Sequence, residues 1–392
     1  MYRTPTIFIN LAHAYDHLFM LLFPMTVVAL DGAWGLAYDE LLALSFGGFI
    51  AFGAGTLPAG WLGDRWSRTG MLALFYFGIG AASIATGFAD SPLGVALGLT
   101  CIGLFASIYH PVGIAMVVED ATHVGRALGV NGVYGNMGVA LAAIVAGGLA
   151  DLFGWRVAFI VPGGVALATG VAYVVCLRKD RPQTALPDVP EADSTTGGRQ
   201  LRVRVFTVLI VATLLGGATY TAMTVALPKV FDNRVDQLAG SGLGVGGALA
   251  VLYGVAAFAQ IIVGRLIDRL PIRGIYMLLL LCQALVLFIA SRLEGLWFVA
   301  ACFVAMALIF GAIPIHDALV ARHTPPAWRS RAYAVMYLVG LGVGALGVPL
   351  VALIYRLSGG FSWLFLIDAA AATVIAGAAA LLPGELRRKI RV

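Results

Sequence analysis

The stretch Gly60-Trp61-Leu62-Gly63-Asp64-Arg65-Trp66-Ser67-Arg68 returns, shortened, as Gly264-Arg265-Leu266-Ile267-Asp268-Arg269. Gly60 and Gly264 are 204 residues apart, as are Asp64 and Asp268, and Pro24 and Pro228. The Arg-Ala pair beginning at Arg126 recurs at Arg331, shifted by 205. Both copies are short polar hairpins between long apolar runs. A chain that repeats such a hairpin once, over half its length, is built from two similar halves.

The apolar runs say what those halves are made of. Twelve stretches of membrane-crossing length lie near 5–29, 39–63, 70–89, 93–118, 125–149, 156–177, 205–231, 239–264, 273–291, 295–321, 331–355 and 362–383. With no water in the bilayer to satisfy backbone N–H and C=O groups, segments of this length cross as helices. The composition agrees, with 60% apolar and only 11% charged residues against about 25% charged in soluble domains. The expected class is an all-α integral membrane protein, its twelve transmembrane helices in two pseudo-symmetric sets of six. Residues 1–178 form the first half and 204–392 the second. Residues 179–203, with Pro182, Pro187, Pro190 and small polar residues from Asp193 to Gly197, read as a flexible linker. The first run carries His13, Asp16 and His17, so it reads as a retained span and not as a cleaved leader.

Basic residues set the orientation. With both termini inside, the inner segments hold 20 of the 25 Lys and Arg, leaving Arg156, Lys229, Arg234, Arg292 and Arg356 outside. Both termini are therefore expected in the cytoplasm of a cell carrying this chain in its inner membrane. The net charge of +5 is this bias dispersed over short loops, with no nucleic-acid footprint. Cys101, Cys176, Cys282 and Cys302 fall inside spans without ligand spacing and read as apolar packers. The chain is expected to act as a monomer in the bilayer.

Ionisable side chains inside the spans mark the functional candidates, since each is costly in hydrocarbon unless it meets a cavity or a partner. They are His13, Asp16 and His17 in the first span, His110 in the fourth, His316 and Asp317 in the tenth, and Asp368 in the twelfth. Asp16 and His17 lie three and four residues after His13, which places His13 on one helix face with both. Burial disfavours a charged Asp16 and a nearby imidazolium favours it, so proton loading can follow gate opening. Histidine exchanges protons in the physiological range. A static Asp–His brace between helices is the competing reading, and it is strongest for the adjacent His316 and Asp317. Asp368 reads as structural. Tyr109, Asn131, Tyr134, Asn136 and Tyr220 could hydrogen-bond a substrate, or each other across helices. The glycines of spans 5 and 11 read as close-packing devices.

Six plus six spans with a duplicated inner hairpin resemble the major facilitator superfamily over essentially the whole chain. The Gly60–Arg68 stretch looks like that family's signature loop between helices 2 and 3, and Gly264–Arg269 like its weaker copy between helices 8 and 9. The resemblance implies that helices 1, 4, 7 and 10 line a central cavity. It also implies that Asp64 supports a closed cytoplasmic gate, with Gly60, Arg65, Arg68, Gly264, Asp268, Arg269 and Arg331 around it. An acid at a helix end can bind a neighbouring helix N-terminus and a nearby Arg. Span 1, together with His110-Pro111 before a glycine-rich span 5, resembles the fosmidomycin-resistance-like branch. Gly138 is followed by Val139 and no proline, and span 4 has no arginine in its middle. Both features depart from that branch and from proton-coupled relatives, and they leave export and uptake both open.

The expected function is proton-coupled transport of a small organic solute by alternating access, with efflux favoured. Uptake of an organic acid is one alternative. A transition-metal cargo held by His13, Asp16 and His17 is another. Enzymatic motifs are missing: there is no nucleophile elbow, no His-Glu-x-x-His and no phosphate loop. No cofactor is called for.

Overall fold

The computed structural model describes residues 6–26, 34–36, 38–119, 121–179, 199–236 and 242–384. Over its described residues each expected apolar run is helical. Span 1 is Thr6–Thr26, span 3 Arg68–Gly87, span 5 Val124–Phe153 and span 6 Val157–Lys179. Span 7 is Arg199–Arg234, span 9 Ile272–Ala290, span 10 Gly295–His323 and span 12 Ser362–Ala379. Four spans are interrupted. Span 2 is Tyr38–Ala43, Phe46–Ala54 and Thr56–Arg65, span 8 is Gly242–Ala257 and Ala259–Arg269, and span 11 is Arg329–Gly344 and Gly347–Ser358. The breaks in spans 2 and 11 fall among glycines, which hold a helix weakly. Among the described residues eleven helical stretches are long and apolar enough to cross a membrane, and span 2 in its pieces makes the twelfth. Residues 180–198, most of the expected linker, lie outside the described residues, while residues 199–203 already belong to span 7.

Span 4 carries the most consequential interruption. Between Pro92–Ala106 and Ile114–Glu119 the chain winds as a π-helix over Tyr109–Gly113. Pro111 cannot donate to the helical ladder, and a wider turn accommodates that gap. Such turns are frequent at functional sites. Tyr109 and His110, neighbours in sequence, both end up buried.

Within the first half, span 5 packs along span 1 and span 3 along span 6; between halves, span 5 packs on span 8 and span 2 on span 11. These crossings between halves are backbone-close. A β-carbon on Gly53 would lie 3.0 Å from the Gly342 Cα. One on Gly264 would collide with the Gly125 carbonyl oxygen, and one on Gly125 with that of Gly264. Large apolar side chains such as Leu97, Ile144, Leu285 and Trp297 are exposed on the outer surface, as suits a lipid-facing perimeter. Gly264→Ala should therefore cost about 1–3 kcal/mol by overpacking and lower the Tm of the purified protein. Gly148→Ala, where nothing lies within 4 Å of the added carbon, should leave it unchanged. Equal melting of the two variants would contradict the packing account.

Candidate functional site

The ionisable residues of span 1 meet the π-turn of span 4. Asp16 is fully buried, and its Oδ2 lies 3.1 Å from His110 Nε2. That is an ion-pair distance without hydrogen-bond geometry. Neither Asp16 oxygen and neither His110 nitrogen has a hydrogen-bond partner. Ring centroids of His13, His17 and His110 lie 5.1, 5.4 and 5.5 Å apart, a nearly equilateral triangle. His13 stacks on Tyr109 at 4.6 Å, and its Nδ1 lies 2.9 Å from the Asn131 carbonyl oxygen. A carbonyl only accepts, so this nitrogen carries the proton and Nε2 keeps its lone pair. Asn131 also joins the Tyr109 hydroxyl, and its Nδ2 donates to Asn10 Oδ1 at 2.8 Å.

The C-terminal half faces this cluster across a central cavity. His110 stacks on Tyr337 of span 11, centroid to centroid 4.2 Å. The Tyr337 hydroxyl donates to Asp317 Oδ1 at 2.8 Å, and Tyr276 O–H meets His316 Nε2 at 2.6 Å. His13, His17, His110, Asn136, Tyr220, His316 and Asp317 line the cavity. Asp16, Tyr109 and Asn131 stand one layer behind it, and Tyr134 is not part of the wall. Asp368 also lies behind it, accepting from Thr219 at 3.0 Å and tying span 12 to span 7.

Four contributors went unnoticed in the sequence: Asn10, Gln260, Tyr276 and Tyr337. Gln260 is wholly buried with both polar atoms unpartnered, and it projects to where a side chain on Gly132 would stand. A lone glutamine in an apolar run was its sole signal. No Lys or Arg lines the cavity among the described residues.

Both hairpins form latches between halves. Asp64 Oδ2 accepts from the backbone N–H and the Nε of Arg331, both at 3.1 Å, and Oδ1 from Arg68 Nη2 at 2.8 Å. Arg68 also donates to Ser330 Oγ and the Pro326 carbonyl. Burial alone disfavours the Asp64 charge, but the donors of Arg68, Ser330 and Arg331 outweigh it and hold its carboxyl below the usual range. Gly60 admits this approach, since a β-carbon there would lie 2.6 Å from that of Ala334. The second hairpin repeats the arrangement. Asp268 accepts the N–H groups of Gly125 and Arg126 at 2.8 Å each, with Arg322 Nη2 at 3.8 Å. Each acid thus caps the N-terminus of a helix in the other half. Arg65, over the Trp61 ring at 5.7 Å, and Arg269 remain exposed outside the latches.

A sequence profile described as Major Facilitator Superfamily matches residues 11–316 and, again, 234–391. Among solved structures the fold is similar to the transporter FucP in its outward conformation, with a TM-score of 0.72 and 15% identity over 97% of this chain and 99% of that one. It is likewise similar to the proton:xylose symporter XylE bound to 6-bromo-6-deoxy-D-glucose, with a TM-score of 0.74 and 15% identity over 96% and 95%. A described "Probable 4-methylmuconolactone transporter" of Cupriavidus pinatubonensis is 31% identical over 39% of this chain. The puromycin resistance protein pur8 of Streptomyces alboniger is 30% identical over 30% of it. The matches span 38% and 24% of the length of these curated relatives.

Proposed function

This chain belongs to the major facilitator superfamily, and from that premise we propose that it is a proton-coupled carrier exporting a small organic solute by alternating access. The observation that carries the coupling is Asp16 beside His110. Both are buried, both lack hydrogen-bond partners, and their neighbours His13 and His17 line the cavity. A carboxyl so placed binds a proton when cavity water reaches it and releases the proton to the other side after the halves rock. The wall supports the cargo class. Among its polar side chains, neutral hydrogen-bonding groups (Asn136, Thr213, Tyr220, Gln260, Gln283 and others) outnumber the ionisable ones, and no Lys or Arg among the described residues awaits an anion. A neutral or cationic solute fits this better than an organic acid.

Two resemblances favour export. One matched relative is a resistance protein, and span 1 with His110-Pro111 resembles a resistance branch. The excess of Lys and Arg on the hairpin side puts that side in the cytoplasm. The latched conformer is then closed toward the cytoplasm.

Inverted membrane vesicles with an imposed proton gradient, read by unbiased mass spectrometry, test the proposal. The expected result is an organic solute that accumulates in vesicles carrying the protein and is lost on adding a protonophore. Accumulation only in right-side-out vesicles would reverse the direction. A solute unaffected by the protonophore would remove proton coupling.

A further inference from the structure

We propose that His13, His17 and His110, with Asp16, form a binding site for one transition-metal dication of the zinc class, entered from the central cavity. The inference goes beyond the coupling reading, since the donor set would hold the ion whether or not protons drive transport.

Three imidazoles each place a potential ligand nitrogen within 4.8 Å of the other two. A tetrahedral ion with bonds of about 2.0–2.1 Å needs its ligands roughly 3.4 Å apart. Side-chain rotations of about an ångström close the gap. Asp16 Oδ2 already stands 3.1 Å from His110 Nε2. Imidazole nitrogen with one carboxylate oxygen is a donor set suited to Zn²⁺, Co²⁺ or Ni²⁺ and poorly suited to Ca²⁺ or Mg²⁺.

Two further observations point to a ligand and not to a finished hydrogen-bonded core. First, buried polar groups are nearly always paired, yet His110 and Asp16, 4% and 0% exposed, leave all four side-chain N and O atoms without hydrogen bonds. Second, ligating histidines characteristically give their other ring N–H to a carbonyl, which fixes the tautomer and turns the lone pair toward the ion. The 2.9 Å contact from His13 Nδ1 to the Asn131 carbonyl does this. His316 makes a useful contrast. It lines the same cavity, but its Nε2 is engaged by the Tyr276 hydroxyl. It stands outside the triangle.

The test uses the full chain, purified in detergent without a polyhistidine tag and titrated with Co²⁺ and then Zn²⁺. The expected result is one Co²⁺ per chain with the intense visible absorption of a four-coordinate nitrogen-rich site, displaced by Zn²⁺. His17→Ala and His17→Gln should each weaken binding at least about tenfold. His17 is the only partly buried member of the triangle, so these are the variants that should fold normally. His316→Ala should leave affinity unchanged. Absence of stoichiometric Co²⁺ and Zn²⁺ uptake by the folded wild type would overturn the site, as would uptake that survives in both His17 variants. Metal failure with proton-driven solute transport intact would refute this site alone. Loss of proton coupling with metal binding intact would refute only the coupling reading.

Discussion

Asp16→Asn is expected to reduce gradient-driven solute accumulation to the level of vesicles lacking the protein, while the protein remains folded. Asparagine matches aspartate in size but cannot take up and release a proton. The mutated side chain sits in a pocket where the carboxylate makes no hydrogen bond, so the isosteric amide loses no hydrogen-bonded partner. A Tm close to that of the wild type is expected. Exchange of solute down its own gradient, which needs no proton cycle, should persist. That split separates a coupling residue from a structural one. Collapse of exchange together with a lowered Tm would make Asp16 a brace between spans 1 and 4. Proton-driven accumulation at wild-type level would remove it from the mechanism altogether. His110→Asn should give a weaker form of the same phenotype, because it leaves the carboxyl in place and removes its neighbour at 3.1 Å.

Asp16, His13 and His17 could be read from the sequence because charge inside an apolar run is rare and costly, and spacing of three and four residues fixes a helix face. His110 stood out for the same reason. Its company did not. The π-turn that brings Tyr109 and His110 inward together depends on how span 4 copes with Pro111, and periodicity assumes an unbroken ladder. Gln260 and Tyr337 matter only through crossings between halves, where Gly132 leaves room for one and His110 stacks on the other. An isolated amide or phenol in an apolar run carries no spacing to single it out. Tyr134, by contrast, is marked only by its polarity among the span 5 glycines, and the helix turns it out of the cavity wall. The interruptions of span 2 were hidden because hydropathy sums over glycines that end helices. The hairpins were the most legible feature, since two acids 204 residues apart advertise a paired task.

That pairing makes an asymmetric prediction: Asp64→Ala should open the hairpin face far more than Asp268→Ala. The Asp64 side chain is fully buried and takes a backbone N–H and two guanidinium bonds, from Arg68 and Arg331, whose side chains are only 14% and 25% exposed. A cap is worth about 1 kcal/mol, and a hydrogen bond to a charged group about 1.5–3. Allowing for partial solvent screening, loss of the latch should cost closure about 2–3 kcal/mol, roughly a 30- to 150-fold shift in the closed-to-open ratio. Asp268 takes two backbone N–H groups and has the Arg322 Nη2 at 3.8 Å, a longer contact than those of Arg68 and Arg331 with Asp64, so a smaller shift, about tenfold, is expected. Thr213→Cys on the cavity wall, in a background without the four native cysteines, reports the change. In inverted vesicles an impermeant maleimide should label it fast in Asp64→Ala, less so in Asp268→Ala, and slowly in the parent. The pH dependence has a definite sign. The carboxyl of Asp64 is held below its usual range only while the latch is closed, so its contribution to closure is complete above the ordinary value of about 3.9 and disappears as pH falls through the depressed one. Labelling should therefore be insensitive to Asp64 titration across the physiological range. Acceleration between pH 6 and 8 that vanishes in Asp64→Asn would show that the acid titrates where the geometry forbids it, and would break the latch account.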